Sequence, residues 1–193
     1  MLTKDQMDGV IAFHGHFCAG LAFGMRVGEW VLSEFGRAED EEVVAVVETD
    51  MCAVDAIQYL VGCTFGKGNF IFLDYGKNAY SFFRRNDNKN CRLVTRGGLL
   101  SDLREQQKEL DPNNTEKRNK IQQQMINRIL ETDFNEIFSI TPAKIPMPEK
   151  AKIHASKNCD SCGELVMETR LLNDPLITGG RNLCIPCRSL HNK

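Results

Sequence analysis

The chain has almost no surplus of charge of either sign: 24 Lys and Arg against 26 Asp and Glu leave a formal net charge of −2 over 193 residues. That balance argues against a nucleic-acid protein that depends on a broad positive surface, because such binding draws its affinity from neutralised phosphates. Residues 150–193 carry only a mild basic excess, and nucleic acid is not expected as a partner. No stretch reaches the roughly 18 consecutive apolar residues that a membrane span requires. The opening Met1-Leu2-Thr3-Lys4-Asp5 turns polar at once, where a signal peptide would build an apolar run. The expectation is a cytoplasmic protein with no membrane contact. Internal repeats and low-complexity tracts are lacking too. Gly66-Lys67-Gly68 lacks the further glycine and the Ser/Thr of a phosphate-binding loop.

What the chain does have is cysteine, eight in all. In an intracellular protein these read as metal ligands or reactive thiols rather than as structural disulfides. Four of them form Cys159-x-x-Cys162 and Cys184-x-x-Cys187. Two residues between paired thiolates let both sulfurs turn toward one ion, and two such pairs complete the tetrahedral sulfur shell that zinc prefers. A segment of about forty residues buries too little apolar surface to fold unaided, and a structural zinc would supply the missing free energy directly. The apolar fraction of the whole chain, 42%, is that of a globular protein with a real core. The organisation expected is a core domain over 1–142, a linker over 143–150 marked by Pro142, Pro146 and Pro148, and a zinc module over 151–193.

Within the core domain, Thr3 is placed to cap a helix running to Phe13, and apolar residues at helical spacing predict a second helix from Ala19 to Phe35. Glu42–Glu48 is β-branched and reads as a buried strand. A helix is expected from Ala53 to Gly62. Asn69–Tyr75 and Ala79–Arg84 read as strands joined at Gly76-Lys77-Asn78, hence a β-hairpin over 69–85. Cys91–Thr95 is a further strand. Ser101–Leu110 and Thr115–Leu130 are polar helices, expected as a solvated helical hairpin or a dimerisation arm. Phe134–Ile140 adds an edge strand. The fold class is α+β, a mixed helix and antiparallel-sheet core with a small C-terminal zinc-ribbon or treble-clef domain.

A second group of soft donors lies near the start. His14, His16 and Cys18 alternate, so an extended segment would present two imidazoles and a thiolate to one ion. Such donors suit zinc, iron, nickel or copper. In a helix His14 and Cys18 would share a face and His16 would point away; Gly15 disfavours a continuous helix, which favours the extended reading. Cys52 and Cys63 compete to complete the set. They lie roughly 16 Å apart along the intervening helix at ~1.5 Å per residue, too far for one mononuclear site. Cys52 is the better candidate, because the helix N-terminus favours a thiolate. Cys63 is left to line a pocket or to be an inert buried thiol. Asp55, one turn into the same helix, could hold an imidazole N–H or accept a proton. Lys67 could contact an anionic ligand or be a plain surface lysine. Asp55, Cys63 and Lys67 are thus the candidate pocket residues, and His14, His16, Cys18 and Cys52 the candidate core metal ligands.

Phe13-His-Gly-His-Phe-Cys-Ala-Gly-Leu-Ala-Phe-Gly24 resembles the opening signature of the E-type family associated with formylmethanofuran dehydrogenase. Cys52-Ala-Val-Asp-Ala-Ile-Gln58, Gly62-Cys-Thr-Phe-Gly-Lys-Gly-Asn69 and Asp74-Tyr-Gly-Lys77 resemble its later signatures, and the paired cysteines resemble its zinc-finger tail. Ala19 departs from the pattern, standing where the family usually has proline. The resemblance implies an α+β core, a treble-clef tail and a homodimer in which core and zinc finger exchange contacts. It also implies a metal site at His14, His16, Cys18 and the Cys52 region. It brings no independent enzymatic activity, because the formyl chemistry of the named complex belongs to a molybdenum- or tungsten-pterin cofactor that this chain has no room to hold. The expected protein is a cytoplasmic metalloprotein with a structural zinc and an open core metal, expected to be zinc, that binds or transforms a small molecule. The rivals are a metal-delivery or maturation factor for molybdenum and tungsten enzymes, and a nucleic-acid-binding regulator acting through the finger.

Overall fold

The computed structural model describes the backbone of residues 1–191 and the side chains of residues 1–189. It divides into two compact units, Met1–Lys150 and Ala151–Lys193.

The first unit opens with helix α1, Lys4–His14. Thr3 and Gln6 form a reciprocal capping box at its start, satisfying N–H groups that the helix cannot pair itself. Gly15 ends it in the left-handed region at φ 94°, a conformation that costs a side chain dearly, and its N–H returns to the Ile11 carbonyl at 2.8 Å. Helix α2, Ala19–Phe35, begins soon after, with Cys18 as its cap. Ala19 is therefore the first helical residue, a position that accepts proline without loss of a hydrogen bond, and Cys18 has the extended backbone (φ −134°, ψ 166°) that a following proline would demand. The departure from the family pattern leaves the helix start intact.

Strand β1, Val43–Val47, helix α3, Ala53–Val61, and strand β2, Phe70–Phe72, then form a crossover unit with β1 and β2 parallel. Strand β3, Ala79–Arg84, and strand β4, Lys89–Thr95, follow. After helix α4, Ser101–Glu109, helix α5, Thr115–Glu131, and the single turn α6, Phe134–Ile137, strand β5, Phe138–Thr141, completes the sheet. The order is β2-β1-β3-β4-β5, with every pair but β1–β2 antiparallel. The hairpin expected over 69–85 does not form, because β1 lies between the two strands that would have made it. The turn residues instead carry the chain across the carboxyl end of β1, where Leu73 N–H donates to the Val47 carbonyl and Lys77 N–H to the Glu48 carbonyl, both at 2.8 Å.

Alternation along β1 divides the core. Val43, Ala45 and Val47 face the helices, joined by Phe82, Leu93 and Phe138 from neighbouring strands. Helix α5 is not the solvated arm its composition suggests: Ile121, Met125, Ile126 and Ile129 form one apolar stripe buried in this same core. Val44, Val46 and Phe83 face the other way and are covered by Ala143, Ile145 and Met147, alternate residues of the segment read as a linker. Arg85 fastens that segment through the Pro148 carbonyl at 2.8 Å. On the same outer face Arg92 makes a bidentate pair with Glu48, at 2.7 and 2.8 Å, which holds the Glu48 carboxyl below its ordinary range.

Helices α2 and α3 pack at backbone contact. A Cβ on Gly24 would stand 2.3 Å from the Ala53 carbonyl oxygen, so glycine alone permits the approach. That contact draws the start of α2 against the start of α3, and with it Cys18 against Cys52.

In the second unit, β6, Ser156–Asn158, pairs with β7, Leu165–Met167, and β8, Leu171–Leu172, pairs with β9, Leu183–Cys184. Helix α7, Ile185–His191, follows directly. Its small core holds Cys159, Leu183 and Cys184, with Val166, Leu171 and Cys187 packed against them. Among the described residues no helix is long and apolar enough to cross a membrane.

Candidate functional site

His14, Cys18 and Cys52 bring their donor atoms within 4.8 Å of one another. Each arrives from a different helix terminus: His14 is the last residue of α1, Cys18 caps α2 and Cys52 precedes α3. Asp55 accepts from His14 Nδ1 at 2.7 Å. A carboxylate can only accept, so in the neutral ring Nδ1 carries the proton and Nε2 presents its lone pair. Nε2 lies 4.0 Å from Cys18 Sγ. Bonds of ~2.3 Å to sulfur and ~2.0 Å to nitrogen at tetrahedral angles separate two ligands by roughly 3.5–3.8 Å, so the donors already stand near the spacing an ion needs. The imidazole held by a carboxylate behind it is the arrangement that fixes tautomer and ring orientation in histidine metal ligands.

Burial, followed by the adjacent Cys18 thiol, pushes the Cys52 thiol above its ordinary range. Cys52 makes no side-chain hydrogen bond at the start of α3, and burial weighs against its charged form. A bound cation reverses that balance, since a coordinated thiol gives up its proton.

His16 is not within this group of donors. It is exposed, and its ring lies against the His14 ring with centroids 4.6 Å apart. The alternation expected of an extended His14–Cys18 segment is lost because α1 continues through His14 and Gly15 then reverses the chain. Cys63 is also corrected as a pocket residue. It is fully buried in the main core, donates to the Val43 carbonyl at 3.3 Å, and burial pushes its thiol up to about 12. Lys67 donates to the carbonyls of Glu39 and Asp40 at 3.4 and 3.3 Å.

Two residues beside the site escaped sequence reasoning. Phe13 precedes His14, Tyr59 follows Asp55 by one helical turn, and their rings meet at 5.9 Å between centroids. The spacing from Asp55 to Tyr59 was the available signal, since residues four apart share a helix face.

In the second unit, Cys159, Cys162, Cys184 and Cys187 bring their sulfurs within 4.8 Å of one another. Cys162 and Cys184 Sγ are 4.0 Å apart, close to the edge of a zinc–thiolate tetrahedron. The backbone supports the knuckle: Cys184 N–H donates to Cys159 Sγ at 3.4 Å, and Asn182 N–H to the Asp160 carboxylate at 2.7 Å. The Cys162 N–H, then those of Cys184 and Ser161, bring the Cys159 thiol down to about 6. Against the pull of the Glu164 N–H, burial and the neighbouring thiols push Cys162 up to about 12. Four sulfurs this close together could share one cation, which would favour their thiolate forms.

Comparison with known proteins places this geometry. Residues 13–139 match the FmdE family model, described as molybdenum formylmethanofuran dehydrogenase operon. A protein of Archaeoglobus fulgidus named as a probable S-adenosyl-L-methionine-binding protein is 28% identical over 192 residues, covering 91% of this chain and 50% of its own length. The chain thus spans about half of that relative. A crystal structure of a tungsten formylmethanofuran dehydrogenase FmdE-like protein from Syntrophus aciditrophicus has the same fold, with a TM-score of 0.62 at 21% identity over 96% of this chain and 91% of that one. The family match takes in α2 and α3, the whole sheet to Ser139, and all three core donors, and on that extent the chain belongs to the FmdE family.

Proposed function

We propose that this protein is a metalloprotein with two separate ion sites of different character. In the second unit four thiolates close a structural zinc, and the knuckle, hairpin and helix around them make a treble-clef finger. In the first unit His14, Cys18 and Cys52 hold an ion, zinc by the character of the donors, and leave a position for water or a small molecule. The observation that carries this reading is the His14 imidazole, tethered through Nδ1 to Asp55 with Nε2 turned toward Cys18.

An ion bound there would act as a Lewis acid and would lower the pKa of a coordinated water toward ~7. The chain's own residues do the rest. Asp55 keeps the His14 ring in one tautomer and one orientation. Its carboxyl is about one-third exposed, so its second oxygen can take a proton from a ligand lying beside the ring. The Leu21 N–H, 3.3 Å from Cys18 Sγ, supports negative charge on that sulfur. The name of the archaeal relative adds S-adenosyl-L-methionine as one candidate small ligand.

The test is Cys18→Ser with metal measured by plasma mass spectrometry. Core metal should be lost and tail zinc kept. Unchanged metal content would end the open-site reading, and rapid surrender of the core ion to a chelator would mark a delivery protein instead.

A further inference from the structure

A recess of about 770 Å³ lies at the other end of α3 from Cys52, within the size range of small-molecule sites. Its walls combine aromatic rings with charge. Phe65 is 72% exposed, Phe13 56% and Tyr59 37%, although rings of this size ordinarily bury themselves. Phe13 and Tyr59 already pack as a tilted pair, and Phe65 comes from the Gly62–Gly68 loop. Arg37 and Lys67 line the same recess and outweigh Glu39, the one acidic residue there among those described. Arg37 spends its charge on carbonyls at the end of α3, from Tyr59 and Leu60. Lys67 holds two carbonyls, those of Glu39 and Asp40. Carbonyl oxygens are neutral acceptors, so these hydrogen bonds leave the positive charge of both side chains uncancelled.

Exposed rings ask for a flat partner, and the cations on the rim ask for an anion. We propose that this recess binds a planar heteroaromatic compound carrying a negative charge, its ring on Phe65 and the Phe13–Tyr59 pair and its anionic group toward Lys67. The placement gives the recess a purpose. Phe13 adjoins His14, and Tyr59 lies one turn, ~5.4 Å, beyond Asp55 on the same face of α3. A ligand seated there extends along the α1–α3 seam toward the His14–Asp55 pair. Binding in the recess uses no metal ligand, so it stands or falls separately from the open-metal reading.

The probes are adenosine 5′-monophosphate, adenosine and inorganic phosphate, titrated calorimetrically into the full chain and into Phe65→Ala and Lys67→Gln. Both variants change exposed or half-exposed side chains and should melt with the wild type. The monophosphate should bind best. Phe65→Ala should weaken it by about 5- to 100-fold, the range carried by one base–aromatic stack. Lys67→Gln should remove the advantage of the monophosphate over adenosine. The proposal is overturned if monophosphate and nucleoside bind alike to wild type, if both variants bind as wild type does, or if none of the probes binds at millimolar concentration. It is equally overturned if sedimentation shows a dimer that Phe65→Ala dissociates, since a second copy would then be what the rings cover.

Discussion

The side chain on which the proposed core site turns is His14, and Asp55 is what would make it a ligand. Without the carboxylate the imidazole could rotate or switch its proton to Nε2, the nitrogen needed for the ion. Asp55→Ala should therefore weaken core metal binding about 10- to 100-fold, the usual cost of losing a carboxylate behind a ligating histidine. Competition with a chromophoric chelator measures this, with tail zinc as the internal control; unaltered core affinity would show that Asp55 is only a favourable charge near a helix start. At this scale the sequence was legible where spacing is rigid. Cys-x-x-Cys pairs announce themselves, because the interval fixes the geometry whatever surrounds it. His14, Cys18, Cys52 and Asp55 were readable as candidates as well. His16 was misleading because a period of two holds only in extended chain, and Gly15 at φ 94° reverses the backbone between the histidines. The environment of Cys63 was hidden for a different reason: nothing local in Gly62-Cys63-Thr64 reveals that β1 passes over the thiol and accepts its hydrogen bond.

Among the elements, the α2–α3 pair does most to build the site. The two helices meet through Gly24 against the Ala53 backbone and Gly20 against the Cys52 side chain, and that close packing sets Cys18 beside Cys52. Gly24→Ala should force the helices apart, costing roughly 1–3 kcal/mol as overpacking does. The same substitution should loosen the core metal while the four-cysteine site keeps its zinc. Thermal melting and metal analysis on one sample check both effects; a variant that melts normally and retains core metal would show that the close approach is not what assembles the donors. Most elements could be read from periodicity, α1, α2, α3 and β1 nearly to the residue. Pairing could not. The strands around Gly76-Lys77-Asn78 look like a hairpin because turn chemistry is local, whereas the insertion of β1 between them is decided by sheet topology. Helix α5 looked solvated because its polar residues outnumber its apolar ones, yet four apolar side chains on one face suffice to bury it. The proline-marked segment after β5 looked like a tether. Its alternate apolar residues Ala143, Ile145 and Met147 in fact close the outer face of the sheet.

For the molecule as a whole, the two units differ in what holds them together. Met1–Lys150 has a two-sided core of its own, with the sheet between α2, α3 and α5 on one face and residues 143–147 on the other. Ala151–Lys193 has a core of a few residues, half of them cysteines, and its four grouped sulfurs could hold an ion that would supply the missing stability. On the proposed reading, metal is structural at one site and accessible at the other. The most direct measurement of that claim is the metal content of the chain purified without chelator. The expected result is one ion for each of the two donor groups, with a strong chelator stripping the His14–Cys18–Cys52 site first and unfolding only residues 151–193 when the second ion is drawn out. A single ion per chain, held by the four cysteines with nothing at His14, would contradict it.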